Sequence, residues 1–161
     1  MPSRRCEIST QGDFDIIDEV KRVGDELAKD ASAAVTEFSV TTSGRPLNFD
    51  STTSHEIIRI VCEALRNAFK HSGASTIECV FAFSETDLRV RVRDDGVGMG
   101  AGNGTVSSRG KCWGIRGMRE RAEKIGADLI INDPSGLGTT VELSVGLQTG
   151  PSRAWAGEPK Q

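Results

Sequence analysis

Glu63-Ala-Leu-Arg-Asn67-Ala-Phe-Lys70-His71 is the stretch whose reading decides this chain. Placed on a helix running from Glu56 to His71 at about 100° per residue, it separates two sides. Ile57, Ile58, Val61, Cys62, Leu65, Ala68 and Phe69 fall on one broad apolar side. Glu63, Asn67, Lys70 and His71 share an arc of roughly 100° on the other. A solvated helix face is usually built from Lys, Glu and Arg. This one mixes a carboxylate, an amide, an ammonium and an imidazole. By itself the stripe also fits an ordinary amphipathic helix, so its meaning depends on the segments C-terminal to it.

Three glycine-bearing segments come after it in the chain. Asp94-Asp-Gly96-Val-Gly98 closes an alternating strand, in which Leu88, Val90 and Val92 alternate with Arg89, Arg91 and Arg93. The run from Gly96 to Gly114 holds seven glycines with almost no periodicity, which predicts a mobile loop. It leads into an amphipathic helix marked by Ile115, Met118, Ala122 and Ile125 and stopped by Gly126. Finally, Gly136-Leu-Gly138-Thr139-Thr140 precedes a strand over Thr139 to Val145.

Working outward, Ile16, Val20, Val23, Leu27 and Ala31 predict a helix over about Asp15–Val35. Glu37–Thr42 reads as a strand and Ser43-Gly-Arg-Pro46 as a turn. Thr53 with Glu56 three residues on has the pattern of a capping box opening the next helix, which Ser72-Gly73 ends. Ile77–Phe83 and Leu129–Ile131 supply further strands. Strands arriving as adjacent pairs between helices favour an α+β class: one mixed sheet covered on one face by helices. The chain divides into three: an N-terminal helical segment over 1–36, a central domain over 37–146, and a Gly-, Pro- and Ser-rich tail over 147–161 that reads as disordered.

The 161 residues suffice for one sizeable core, and 37% hydrophobic with 27% charged residues fits a globular chain. A net charge of −3 with mixed signs gives no electrostatic support for nucleic-acid binding. No apolar run approaches a membrane span. Cys6, Cys62, Cys79 and Cys112 are scattered without metal-ligand spacing, which points to reduced thiols and a cytoplasmic setting.

The chemistry of these segments converges on a nucleotide with its metal. The Asn67 amide oxygen can ligate Mg²⁺ while phosphates complete the shell, and Lys70 and His71 can neutralise phosphate charge. The Asp94 carboxylate can accept a hydrogen bond from an adenine amino group, and Gly96 and Gly98 let backbone approach the base. A helix N-terminus after the glycine run offers free N–H groups to phosphates. A Thr139 hydroxyl is expected near Asp94. No Gly-Lys-Ser/Thr follows a strand, so this is not a P-loop. His55 and His71, taken singly, read as surface or capping residues.

In this order the motifs resemble the ATP-binding domain of sensor histidine kinases, within the Bergerat-type ATPase superfamily. Glu63-x-x-x-Asn67-Ala-x-Lys70-His71 looks like the N box. Asp94-x-Gly96-x-Gly98, Gly114-Ile-Arg-Gly117-Met118 and Gly136-Leu-Gly138-Thr139 look like the three glycine boxes. Trp113-Gly-Ile-Arg-Gly-Met-Arg-Glu-Arg-Ala122 is similar to the branch that pairs with helix-turn-helix response regulators. The resemblance implies a two-layer α/β sandwich that transfers the γ-phosphoryl group of Mg-ATP to a histidine on a separate dimerisation helix. It makes Glu63, Asn67, Lys70 and His71 catalytic, with Asn67 the Mg²⁺ ligand and Glu63 the polarising carboxylate. It puts ATP against Asn67, Lys70, His71, Asp94, Gly96, Gly98, Met99, Gly114, Ile115, Gly138 and Thr139. It further implies a homodimeric parent, compatible with membrane anchoring, whose phosphoacceptor region precedes Asp15 and for which residues 1–36 are the tail, and a response regulator downstream. Alternatives within the superfamily are a serine-kinase anti-sigma factor, a hydrolysing ATPase module and a non-catalytic nucleotide-binding module.

Overall fold

The structure, a computed structural model, describes residues 15–31, 37–71, 73–98, 107–133 and 137–147, with backbone alone for 107–112. Its elements run α1 (Ile16–Asp30), β1 (Glu37–Ser43), α2 (Ser51–His71), β2 (Thr76–Phe83), β3 (Asp87–Asp94), α3 (Ser107–Lys124), β4 (Asp128–Asn132) and β5 (Thr140–Gly146). The five strands form one sheet in the order β1-β2-β3-β5-β4. β1 pairs with β2 in parallel, and the other three pairs are antiparallel. This is the mixed α+β sheet that the paired strands imply.

Strand alternation decides which face the helices cover. Ile77, Cys79 and Phe81 on β2, Leu88, Val90 and Val92 on β3, and Val141, Leu143 and Val145 on β5 are buried together. They pack under α2, whose Ile57, Ile60, Val61, Ala64, Leu65 and Ala68 are also buried. Each fully buried large side chain in this layer contributes about 1.5–3 kcal/mol relative to exposure. The opposite sheet face carries Arg89, Arg91 and Arg93 into solvent, with Arg91 paired to Glu142 across β3 and β5 at 2.8 Å.

The first helix is N-capped by Asp15, which accepts from Ile17 N, and ends at Asp30. Residues 32–35 of the expected helix lie outside the described residues, as does the tail from 148. Through Ile16 and Val20, α1 joins the common core, and Phe38 of β1 meets Phe69 of α2 edge-on with centroids 5.7 Å apart.

Two local expectations are corrected. The cap of α2 is Asp50 rather than a Thr53–Glu56 box: Asp50 accepts from Thr53 N at 3.0 Å and from the Thr53 hydroxyl at 2.6 Å. Glu56, freed from capping, is buried instead and bonds Lys124 Nζ of α3 at 2.6 Å. The second correction concerns the glycine run. Helix α3 begins at Ser107, so residues 107–114 are helical rather than loop. Once later residues such as Met118 and Ala122 bury a helical face, the helix propagates backward through Gly110 and Gly114 at a cost of only about 1 kcal/mol per glycine. Residues 99–106, the rest of the expected lid, lie outside the described residues.

Candidate functional site

The site grows from one break in the hydrophobic alternation. Leu88, Val90, Val92 and Asp94 all point to the core face of β3, so the last of them delivers a carboxylate where a fourth apolar side chain would sit. Asp94 is only 4% exposed. Its Oδ1 accepts Gly96 N at 3.0 Å and Thr139 N at 3.3 Å, while its own N–H donates to Thr139 O at 3.0 Å. Both accepted bonds fall on Oδ1, and among the described residues no hydrogen bond falls on Oδ2. Burial pushes the Asp94 carboxyl above the ordinary carboxylate range. The Gly96 and Thr139 N–H groups oppose that shift, and the nearby Asp95 and Asp133 charges reinforce it.

The neighbouring acid does different work. Asp95 turns away from the core and accepts from Ser75 N, the Ser75 hydroxyl and Thr76 N at 2.9, 2.6 and 2.9 Å. It thereby ties the end of β3 to the start of β2 and fixes where the acidic turn begins. These bonds, the Ser75 hydroxyl foremost, hold its carboxyl below the usual range.

Gly138 completes the floor. Its φ is +83°, a conformation costly for any side chain, and a Cβ there would run into the Asp94 carbonyl. Glycine is what lets the turn before β5 lie against Asp94, and so lets Thr139 reach it. The Thr139 contact is made by backbone N–H and C=O rather than by the expected hydroxyl.

A pocket opens above this floor, enclosing about 470 Å³ including its open mouth. Asn67 and His71 of α2 line it with Asp94, Gly98, Ile115 and Thr139. Thus the pocket brings together residues from the N box and from all three glycine-bearing segments. Its apolar walls are Ala64, Ala68, Val92, Met118, Ile131 and Val141, none of them assigned to the site from sequence. The periodic signal was available, since Val92 and Val141 stand two residues from Asp94 and Thr139 on the same strand faces, and Ala64 and Ala68 flank Asn67 on α2.

Not every expected residue lies in the pocket. Glu63 is outside the lining, one turn before Asn67 on α2, and a Cβ on Gly114 would come 2.5 Å from Glu63 Oε1 and 3.6 Å from Asn67 Nδ2. Gly114 is therefore one point at which α3 closes on α2. It lies inside α3, so the free N–H groups of the helix start belong to its first turn, up to residue 109, and not to Gly114 or Ile115. Lys70 is exposed and outside the lining. Gly96 is buried behind Asp94 as a donor, and Met99 lies outside the described residues. Among the described residues, no group of three His, Cys, Asp or Glu side chains is placed to hold a metal by itself. Cys62 and Cys79 are free and buried, and burial pushes the Cys79 thiol up to about 12.

Comparison with known proteins gives the family and the fold. The family described as histidine kinase-, DNA gyrase B-, and HSP90-like ATPase matches residues 52–149, and the chain belongs to that family. It is 37% identical over 100 residues to the nitrate/nitrite sensor protein NarQ of Escherichia coli, covering 61% of this chain and 17% of NarQ. It is 36% identical over 89 residues to the sensor histidine kinase LiaS of Bacillus subtilis, covering 55% of this chain and 24% of LiaS. The chain thus spans less than a quarter of either relative. Among solved structures, a histidine kinase domain from the blue-light activated kinase EL346 of Erythrobacter litoralis superposes with a TM-score of 0.62. That match has 21% identity and covers 81% of this chain and 60% of the other. The catalytic domain of histidine kinase ThkA gives a TM-score of 0.62 at 16% identity, covering 81% and 90%. At those identities the likeness is one of fold.

Proposed function

We propose, on the premise of that family membership, that this chain is the ATP-binding catalytic domain of a two-component sensor histidine kinase. The observation that carries the reading is the buried Asp94 carboxylate in a largely apolar pocket whose other polar side chains are Asn67, His71 and Thr139. An acid in such a place selects a ligand that brings both a flat apolar body and a donor. Adenine has both. Val92, Met118, Ile131 and Val141 would hold the base, Asp94 Oδ2 would accept its amino proton, and Oδ1 stays occupied by backbone donors.

From the base the phosphates would run toward α2, where Asn67 and His71 line the pocket and Lys70 stands exposed one turn away. Mg²⁺, when bound, would neutralise phosphate charge. The Asn67 amide oxygen, a hard neutral donor of the kind Mg²⁺ accepts, would hold it together with the phosphates. Glu63, beside Gly114 and outside the pocket lining, would polarise an incoming nucleophile rather than hold nucleotide. The acceptor histidine would come from a helix of the parent outside this domain. His55 lies about four turns before His71 on α2, too far to share its site. The parent would act as a homodimer with a response regulator downstream and this domain in the cytoplasm. Residues 1–36 would join the domain to the acceptor region, with α1 packed back onto the helical layer.

Calorimetry with ATP and Mg²⁺ tests the reading. Saturable binding is expected, and Asp94→Asn should lose about 1–3 kcal/mol of it together with the preference for adenine over guanine. Folded protein that shows no saturation at millimolar ATP, or an Asn variant with unchanged affinity and base preference, would remove Asp94 from the site.

A further inference from the structure

A second concavity lies in the helical layer, on the far side of Glu63 from the nucleotide pocket. Val23 of α1 with Ile58 and Cys62 of α2 form its apolar floor. Its lining carries four arginines against two glutamates, on a chain whose net charge is −3. Arg22 is held by Glu19 and by Glu26, the latter at 2.7 Å, and Arg121 turns to the buried Glu56 at 3.7 Å. Arg59 is exposed and makes no ion pair among the described residues, and Arg66, with its side chain 46% exposed, meets only Glu63 at 3.7 Å.

Arg59 and Arg66 are seven residues apart on α2, which puts them on one face two turns, or about 10.5 Å, from each other. Glu63 stands between them on that face, four residues after one and three before the other. The same Glu63 lies beside Gly114 of α3 and one turn before Asn67, which lines the first pocket. Two separated cations over an apolar floor suit two carboxylates carried at matching spacing on an amphipathic helix. A single small anion would need guanidinium groups converging on one point.

We infer that this groove seats an acidic amphipathic helix whose two carboxylates, two turns apart, pair with Arg59 and Arg66. The residue midway between those carboxylates then faces Glu63. This rests on the reading of the neighbouring pocket, for it makes the occupant the helix that brings the acceptor side chain to the nucleotide's phosphate end. Arg59 and Arg66 are positioning residues: they set the register of the incoming helix and touch neither nucleotide nor phosphoryl group.

The probe is a fluorescently labelled designed helix with a leucine stripe and two glutamates seven residues apart, compared with the same helix carrying lysines. Anisotropy with the full chain should show saturable binding of the glutamate helix and none of the lysine helix. The double variant R59E/R66E should weaken the glutamate helix about tenfold and gain binding of the lysine helix, the signature of a charge swap. The milder pair R59Q/R66Q should weaken the first without gaining the second. Circular dichroism should confirm that the variants fold, and their Mg-ATP affinity should stay within about twofold of wild type, because rim charges act on their own partner. Equal binding of both helices to wild type, or no response to charge reversal, overturns the inference. So does displacement of the helix by millimolar inorganic phosphate beyond the effect of chloride at equal ionic strength, since that marks a small-anion site. Loss of wild-type Mg-ATP binding would instead defeat the function proposed above, and the helix measurement reads independently of it.

Discussion

Among the described residues two carboxylates are buried, and they have opposite consequences. Glu56, near the start of α2, and Asp94, at the end of β3, are 6% and 4% exposed. Glu56 faces cations: Lys124 Nζ at 2.6 Å and Arg121 Nε at 3.7 Å, joining α2 to the last turn of α3. Those partners, the Lys124 hydrogen bond foremost, hold its carboxyl below the usual range against the opposing effect of burial. Among the described residues Asp94 accepts from backbone N–H groups and stands near two like charges, and burial pushes its carboxyl up. A buried acid answered by side-chain cations is spent on holding elements together. One answered by backbone donors on a single oxygen keeps the other oxygen for a ligand. The kind of partner, more than the depth of burial, separates the acid that joins two helices from the one proposed to meet a ligand.

The contrast can be broken most forcefully at the backbone of the Asp94 region. Gly138→Ala would force a Cβ toward the Asp94 carbonyl at φ +83°. It should cost about 2–4 kcal/mol of stability, combining left-handed strain with overpacking against atoms that cannot rotate away. Urea unfolding measures it, and a loss under about 1 kcal/mol would show that the turn can shift and that Gly138 does not fix the pocket floor.

At the other acid, Lys124→Met should leave Glu56 charged with a weaker set of partners. The expected loss is about 2 kcal/mol, below the roughly 3–5 typical of breaking a buried pair because Arg121 remains. Mg-ATP affinity should change far less than it does in Asp94→Asn. If Lys124→Met lowered nucleotide affinity as much as Asp94→Asn, the division of labour between the two acids would fail.

The smallest effect, and the one that sharpens the contrast most, is in acid. Glu56 has a folded pKa lowered from 4.5, so its stabilising contribution is full above that value and fades as pH falls through the folded pKa. Asp94 has a folded pKa raised from 3.8, so its carboxylate costs stability above the folded pKa, and that cost disappears as pH falls toward 3.8. Urea midpoints from about pH 7 to about pH 3 should therefore show the deficit of Glu56→Gln against wild type shrinking in acid. Any stability advantage of Asp94→Asn should shrink over its own window. Parallel pH profiles for the two differences would mean that the acids share one environment.

Much of this was legible in one dimension. The periodicity of Ile57, Val61, Leu65 and Ala68 placed α2, and alternation through Leu88, Val90 and Val92 placed β3, because each pattern reflects a local geometry repeated along the chain. Asp94 was legible for the same reason, as a charged residue in register with buried ones. What misled was local chemistry with two possible outlets. Thr53 and Glu56 have capping-box spacing, yet Asp50 takes the cap and Glu56 finds Lys124, 68 residues away in sequence. Glycines between 107 and 114 favour loop by propensity, yet the helix anchored by Met118 and Ala122 extends through them. The sequence alone determined the elements, the inward acid and the order of the motifs, all consequences of spacings within a single strand or helix. Only the tertiary structure decided which of Glu63, Asn67, Lys70 and His71 line the pocket, where α3 begins, and how Gly138 seats Thr139 on Asp94. Those outcomes depend on packing between segments far apart in the chain, and no local spacing records it.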